Sequence, residues 1–221
     1  MKQVEQQGHL SNEWEELYQA NKDDLDYLSK LMAKAFSEDP LWQGLLGSEP
    51  QKDVILQILF KAILQYHYQK GIIVATSSDF EGVMVWTPGG KKERIREVIR
   101  GTQISLRLLK LLKYLSLKRL THLLRSLKKW DLYREKRSGQ TAHCCLDIIF
   151  VQKELRGKKH SSKLFKALLA HCDSMKLLCF VETNNPANLN IYEHYGFKLK
   201  KQCKMGNEQI NAYFMEREPV A

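Results

Sequence analysis

The chain has 221 residues, 43% hydrophobic and 27% charged, with only 12 Gly and 5 Pro. This excludes a collagenous, low-complexity or disordered chain and suits one globular domain, 1–221, large enough to carry an insertion. Neither a membrane span nor a secretory signal core is visible, and the five cysteines lack zinc or disulfide-framework spacing, so a cytoplasmic protein without a bound metal is expected. The formal charge is +10, yet residues 91–138 hold 16 Lys and Arg against 4 Asp and Glu, a local +12 that leaves the other 173 residues at −2; such local basicity marks one patch and speaks against general nucleic-acid binding.

Residues 13–36 read as helical, with Leu25, Leu28, Leu31, Met32 and Phe36 at spacings of three and four behind Asp23-Asp24. Pro40 is expected to end that pattern. A second helix follows Pro50, carrying Val54, Ile55, Ile58, Leu59, Ala62 and Ile63, and stops before Gly71. The period then shortens: Ile72 to Thr76 and Gly82 to Thr87 are strand-like runs around Ser77-Ser78-Asp79, a hairpin signal closed by Pro88-Gly89-Gly90. From 91 to 135 the chain is Leu-rich and basic, with leucines at helical spacing, and predicts two or three amphipathic helices as an insertion, 91–138, between the third and fourth strands. After it come a strand (Ala142 to Val151), a helix (Ser161 to Cys172), a strand (Leu177 to Glu182), a short helix (Pro186 to Tyr195) and two strands (Phe197 to Lys204, Ile210 to Glu216). The last 80 residues alternate β-α-β-α-β-β, so the fold class is α/β with a mixed sheet flanked by helices.

Two segments carry candidate chemistry. The junction LDIIFVQKELRGKKHSSKLFKALL, residues 146–169, runs from strand through a short loop into a helix N-terminus, whose free N–H groups and positive dipole end suit a phosphate. Forty residues on, ETNNPANLNIYEHYGF, 182–197, leaves a strand, turns through Asn184-Asn185-Pro186 and runs a short helix into Gly196. The pair resembles the GCN5-related N-acetyltransferase (GNAT) superfamily. Its acetyl-coenzyme A loop, Arg or Gln, two residues, Gly, one residue, Gly or Ala, begins at Arg156, and its later Asn, Tyr and Gly-Phe signature matches Asn185, Asn188, Tyr192, Gly196 and Phe197. EGVMVWTPGG, 81–90, is similar to the third strand of a bacterial subfamily. The chain departs from the pattern at Lys159 and Ser161, where loop glycines are expected, and at Lys153, where a Pro is usual.

The resemblance implies the GNAT fold, acetyl-coenzyme A as co-substrate and acetyl transfer to a primary amine of a small molecule or peptide. It places cofactor contacts at Ile149, Val151, Arg156, Gly157, Lys158, Lys159, Ser161, Ser162, Asn185, Asn188 and Tyr192. A non-Gly residue at 159 or 161 costs on the order of 1 kcal/mol if φ is positive there, while an added Lys offers a charge-assisted phosphate contact. Tyr192 looks like the acid that protonates the leaving thiolate. Period-2 alternation puts His143, Cys145, Asp147, Ile149 and Val151 on one strand face, which makes Asp147, or His143, a candidate base for the amine proton. Nothing in the sequence suggests a depressed pKa for a nucleophilic Cys145. The insertion is expected to cover the acceptor side and to bias it toward neutral or anionic amines, and a homodimer is open. The rival reading is a non-catalytic GNAT-like module whose basic helices meet nucleic acid or an anionic membrane.

Overall fold

The computed structural model describes residue 14 and residues 16–89, 108–126, 142–205 and 210–220. In chain order the elements are β1 (Tyr18–Gln19), α1 (Asp24–Phe36), α2 (Pro40–Leu46), α3 (Lys52–Lys70), β2 (Ile72–Ala75), β3 (Gly82–Gly89), a 3-10 turn (Leu109–Lys113) leading to α4 (117–126), then β4 (His143–Val151), α5 (His160–Ser174), β5 (Leu178–Thr183), α6 (Leu189–His194), β6 (Lys198–Met205) and β7 (Ile210–Arg217).

The first helix starts later than its apolar spacing suggests. Asp24 receives Tyr18 O–H at 2.9 Å and Asn21 N–H at 2.7 Å, and the Asn21 side chain receives Asp23 N–H at 2.8 Å. This knot of short polar side chains starts the helix at Asp24 and frees Tyr18–Gln19 to pair with Val74 and Ala75. Pro40, expected as a terminator, opens a helix instead. Asp39 sits at its N-cap with its carboxylate accepting Leu41 N–H at 2.9 Å, and Pro40 occupies the first turn, where its missing N–H costs nothing. The α3 helix ends as expected at Gly71, whose N–H reaches the His67 carbonyl at 2.7 Å. A Cβ at Gly71 would lie 2.5 Å from the Trp86 carbonyl oxygen, so only glycine lets the helix end approach β3 this closely.

One seven-stranded sheet runs in the order β1-β2-β3-β4-β5-β7-β6. Strands β1 to β4 form an antiparallel block, and β5, β7 and β6 form another. The two blocks join through one parallel pair, β4 with β5, with α5 as the crossover. Each sheet face has its own apolar layer. On one, α1, α2, α3 and residues 108–126 cover Ile73, Ala75, Val83, Val85, Phe150 and Phe214; on the other, α5, α6 and Trp14 cover Val74, Met84, Trp86, Leu146, Val181 and Met215. Leu164, Phe165 and Leu168 of α5 are fully buried, each contributing roughly 1.5–3 kcal/mol of burial.

Expected alternation along β4 is broken. Val85 pairs with Ile148 and Trp86 with Leu146, leaving Asp147 as the extra residue of a β-bulge. Cys144 and Leu146 face α5, but past the bulge Ile149 does so, while Ile148 and Phe150 face the α1–α3 layer. His143, Cys145, Asp147, Ile149 and Val151 therefore do not share a face: the bulge moves Ile149 to the other layer. Of the 91–138 insertion, residues 91–107 and 127–138 lie outside the described residues. In the part between them, Leu108, Leu111, Leu115, Leu120 and Leu123 are buried against the α1–α3 layer, while Lys110, Lys113 and Lys118 face water.

Candidate active site

The sheet opens where the bulge lies. Strand β4 pairs with β3 along its whole length, from His143↔Gly89 to Val151↔Gly82, but with β5 only from His143↔Leu178 to Leu146↔Val181. Beyond that pair β5 stays with β7 while β4 runs on through Ile149 to Val151. Because every second peptide of β4 points away from β3, the stretch 147–151 turns backbone hydrogen-bonding groups toward a gap between the two strands. An extended ligand with amide groups can complete such an edge as a strand would.

At the outer end of the gap lies the loop to α5. Gln152 pins it, donating its backbone N–H to the Glu81 carbonyl at 2.8 Å and its side-chain amide to the Phe80 carbonyl at 3.0 Å. His160, the first residue of α5, lies 3.1 Å from Thr76 Oγ1. Gly157 has φ +82°, and Lys159, the helix N-cap, has φ +66° and ψ 11°, so one of the two expected glycine positions does take the left-handed conformation. Ser161 is helical and needs no glycine. The first intrahelical bond is from Lys163 N–H to the Lys159 carbonyl at 3.1 Å, which leaves the N–H groups of His160, Ser161 and Ser162 ahead of the helix. Arg156, Lys158 and Lys159 are exposed and Ser161 and Ser162 half-buried around this turn. A strand edge, a left-handed turn, three free N–H groups and three cations make a set that fits a diphosphate.

Across the gap, β5 leads into the turn that carries Tyr192. Asn185 caps Pro186–Asn188 by accepting Ala187 N–H at 3.0 Å, and Thr183 Oγ1 receives the Asn185 N–H at 3.2 Å and the Asn188 side-chain amide at 3.0 Å. Both asparagines thus fix the turn. Tyr192 is buried against Phe165 and Phe197, and its neighbour Tyr195 stacks on Phe165 at 4.0 Å. Burial first, and then the Asp39 carboxylate, push the Tyr192 hydroxyl well above the usual phenol value. Asp39 itself is raised by burial, against the N–H bonds from Leu41 and Trp42.

Asp147 lies at the apex of the gap, its side chain 4% exposed. It accepts the Thr87 hydroxyl, and Thr87 Oγ1 lies 3.1 Å from His67 Nδ1. His143, the other candidate base, is buried four residues earlier beside Phe180, with ring centroids 5.2 Å apart. Sequence reasoning missed His67, Thr87 and Asp39. Only Asp39 left a trace, as the Asp-Pro pair of a helix start; His67 and Thr87 meet Asp147 through tertiary packing, which no local pattern encodes.

Comparisons with known proteins agree with this architecture. Residues 122–197 match the Acetyltransferase (GNAT) family, a span that holds the loop, the gap and Tyr192. An uncharacterised N-acetyltransferase of Schizosaccharomyces pombe is 25% identical over 195 residues, covering 85% of this chain and 77% of that one. Among solved structures, a protein of Corynebacterium glutamicum described as histone acetyltransferase HPA2 and related acetyltransferase superposes with a TM-score of 0.65 at 16% identity, over 93% of this chain and 96% of the other. A protein of the yellow fever mosquito Aedes aegypti, provisionally assigned as arylalkylamine N-acetyltransferase 7, gives 0.54 at 13% identity over 91% and 86%. The split mixed sheet is that of acetyltransferase structures, and together with the match over residues 122–197 and the fission-yeast relative it supports membership of the GNAT superfamily. The same match and the N-acetyltransferase name of that relative support an N-acetyltransferase.

Proposed function

We propose that this protein uses acetyl-coenzyme A to acetylate the primary amine of a small molecule or peptide, by direct attack while both substrates are bound. The observation that carries this reading is the opening between β4 and β5, bounded by the left-handed loop at one end, Asp147 at the apex and Tyr192 across from it. The N–H groups of residues 157–162 would hold the pyrophosphate, with Arg156, Lys158 and Lys159 adding charge. The backbone at Ile149 and Val151 would pair with the pantetheine amides, and the lip formed by Asn185, Asn188 and Tyr192 would close over them.

In the transfer, a backbone N–H of β4 at the gap polarises the thioester carbonyl. The neutral amine nitrogen bonds to the carbonyl carbon and the C–S bond breaks. The amine proton goes to the Asp147 carboxylate, the thiolate takes the Tyr192 proton, and solvent restores both groups after product release. The raised Tyr192 pKa keeps that proton in place across the working pH range. It also makes transfer to a thiolate of pKa ~8.5 uphill, so proton donation accompanies C–S cleavage and does not precede it.

The test is coenzyme A binding followed by thiol release over a panel of amines, peptides and amino acids. The expected result is a coenzyme A-dependent rise in melting temperature and thiol release with at least one amine. No thermal shift with millimolar coenzyme A, together with salt-sensitive retention on RNA or anionic vesicles, would overturn the enzyme in favour of a binding module.

A further inference from the structure

We propose that His67 and Thr87 are positioning residues for the base, joined to Asp147 in one buried hydrogen-bonded chain from three separate elements; this rests on the reading of Asp147 given above. His67 comes from the last turn of α3, Thr87 from β3 and Asp147 from the bulge of β4. The His67 side chain is 9% exposed and that of Asp147 4%. A carboxylate this deeply buried stays in place only if its oxygens are held by donors.

The atoms fix the direction of the chain. Thr87 has one hydroxyl hydrogen and gives it to Asp147 Oδ2. Its oxygen then presents only lone pairs to His67 Nδ1, 3.1 Å away, so Nδ1 must carry the hydrogen. The direct separation between His67 Nδ1 and Asp147 Oδ2 is 3.6 Å, beyond hydrogen-bond length, which makes the hydroxyl the link. The imidazole is therefore set as the Nδ1–H form, and its dipole and the hydroxyl together orient the carboxylate.

The bulge explains why Asp147 needs this tether. A residue in a regular ladder inherits its side-chain direction from the strand on either side, whereas the extra residue of a bulge does not. Thr87 pairs in the ladder with Cys145, two residues before Asp147, so the tether arrives from the closed end of the gap and leaves the open end to the substrates. His67 lies in the same α1–α3 layer as α2 and residues 108–126, the layer expected to receive the acceptor.

The experiment compares wild type with Thr87→Val, Thr87→Ser, His67→Gln and Asp147→Asn in turnover, KM for acetyl-coenzyme A and the imidazole 15N shifts of His67. Expected are a fall in kcat of about tenfold or more in Thr87→Val and His67→Gln, with KM for acetyl-coenzyme A within about twofold. Thr87→Ser should recover most of the turnover and keep the Nδ1–H signature, which Thr87→Val should lose. If Thr87→Val fails to fold, His67→Gln and the Ser variant carry the comparison. Slow Asp147→Asn beside a Thr87→Val of normal kcat and unchanged His67 shifts would overturn the chain and leave Asp147 as base. Full turnover in Asp147→Asn would overturn the base itself, and both positioning roles with it, whatever the imidazole shows.

Discussion

Two side chains set the chemistry at the residue scale, one by holding a proton and one by bending the backbone. Tyr192 has lost most of its solvent and gained the nearby charge of Asp39, and both effects disfavour the phenolate. Tyr192→Phe keeps the ring that packs on Phe165 and Phe197 but removes the proton. Turnover should fall roughly 10²-fold with coenzyme A affinity within about threefold, measured where chemistry limits the rate. A tenfold loss of affinity instead would assign Tyr192 to binding. Lys159 keeps a left-handed φ of +66° that glycine would adopt without the Cβ penalty. Lys159→Gly should therefore raise the unfolding free energy by about 0.5–1 kcal/mol in urea titration. Its coenzyme A affinity should drop less than about tenfold if backbone N–H groups dominate, and far more if the Lys charge has taken over their task.

At the scale of elements, the end of α5 and the end of β7 are tied by one ion pair. Arg217 donates to both oxygens of Asp173 at 2.7 and 2.8 Å, and Val220 N–H reaches the same carboxylate at 2.8 Å. Burial alone would raise the Asp173 pKa, but the Arg217 bonds and charge and the Val220 N–H outweigh it and hold the carboxyl below its usual value. A folded-state pKa below the unfolded one gives stability that is complete above pH ~4 and lost as pH falls through the folded value. Asp173→Asn should cost about 2–3 kcal/mol near neutral pH, and its deficit against wild type should shrink on acidification below pH 4. Equal deficits at pH 3 and pH 7 would show that the pair acts through shape alone. The elements also show what the sequence could reveal. From α3 onward, apolar spacing and Gly or Pro boundaries located β2, β3, β4, α5, β5 and both final strands to within a residue or two, because each buries one regular face. The β4 bulge stayed hidden: His143–Val151 is apolar almost throughout, so a one-residue slip changes which layer a side chain enters without breaking any visible alternation. The helix at Pro40–Leu46 escapes apolar spacing because a Pro after a helical run reads as a stop, although Asp39-Pro40 is equally a start. The loop and Tyr192 were legible because ligand-binding turns depend on short local patterns; the His67–Thr87–Asp147 group depends on how three distant segments pack.

For the whole molecule, the question is where the excess positive charge sits. In residues 108–126 it lies outside: Lys110, Lys113 and Lys118 are exposed, and Arg119 is tied to Glu49 at 3.2 Å and to the Leu46 carbonyl at 3.4 Å. Asp147, by contrast, is at the gap, and the Asp39 carboxylate acts on the Tyr192 hydroxyl. The outer lysines lie where salt screens them. For acceptors of equal size, a monocationic amine should show a KM that changes less than about twofold between roughly 50 and 300 mM salt. A KM for cationic acceptors that falls steeply with added salt would mean that the insertion's lysines line the entrance.

The sheet's division into two antiparallel blocks also has a mechanical side. Only four residue pairs, His143↔Leu178 to Leu146↔Val181, stitch β1–β4 to β5–β7, and the turn between them passes through Met175 and Lys176, the latter exposed with φ +53°. A chain severed there would part into 1–175 and 176–221, each retaining its own hairpins and losing that short seam, the packing of α5 and the packing of Ile210, Ala212 and Phe214 on the α1–α3 layer. The protein is in this sense built like two cloths joined along a brief hem, and a pair of co-expressed halves should find each other and restore thiol release that neither half gives alone.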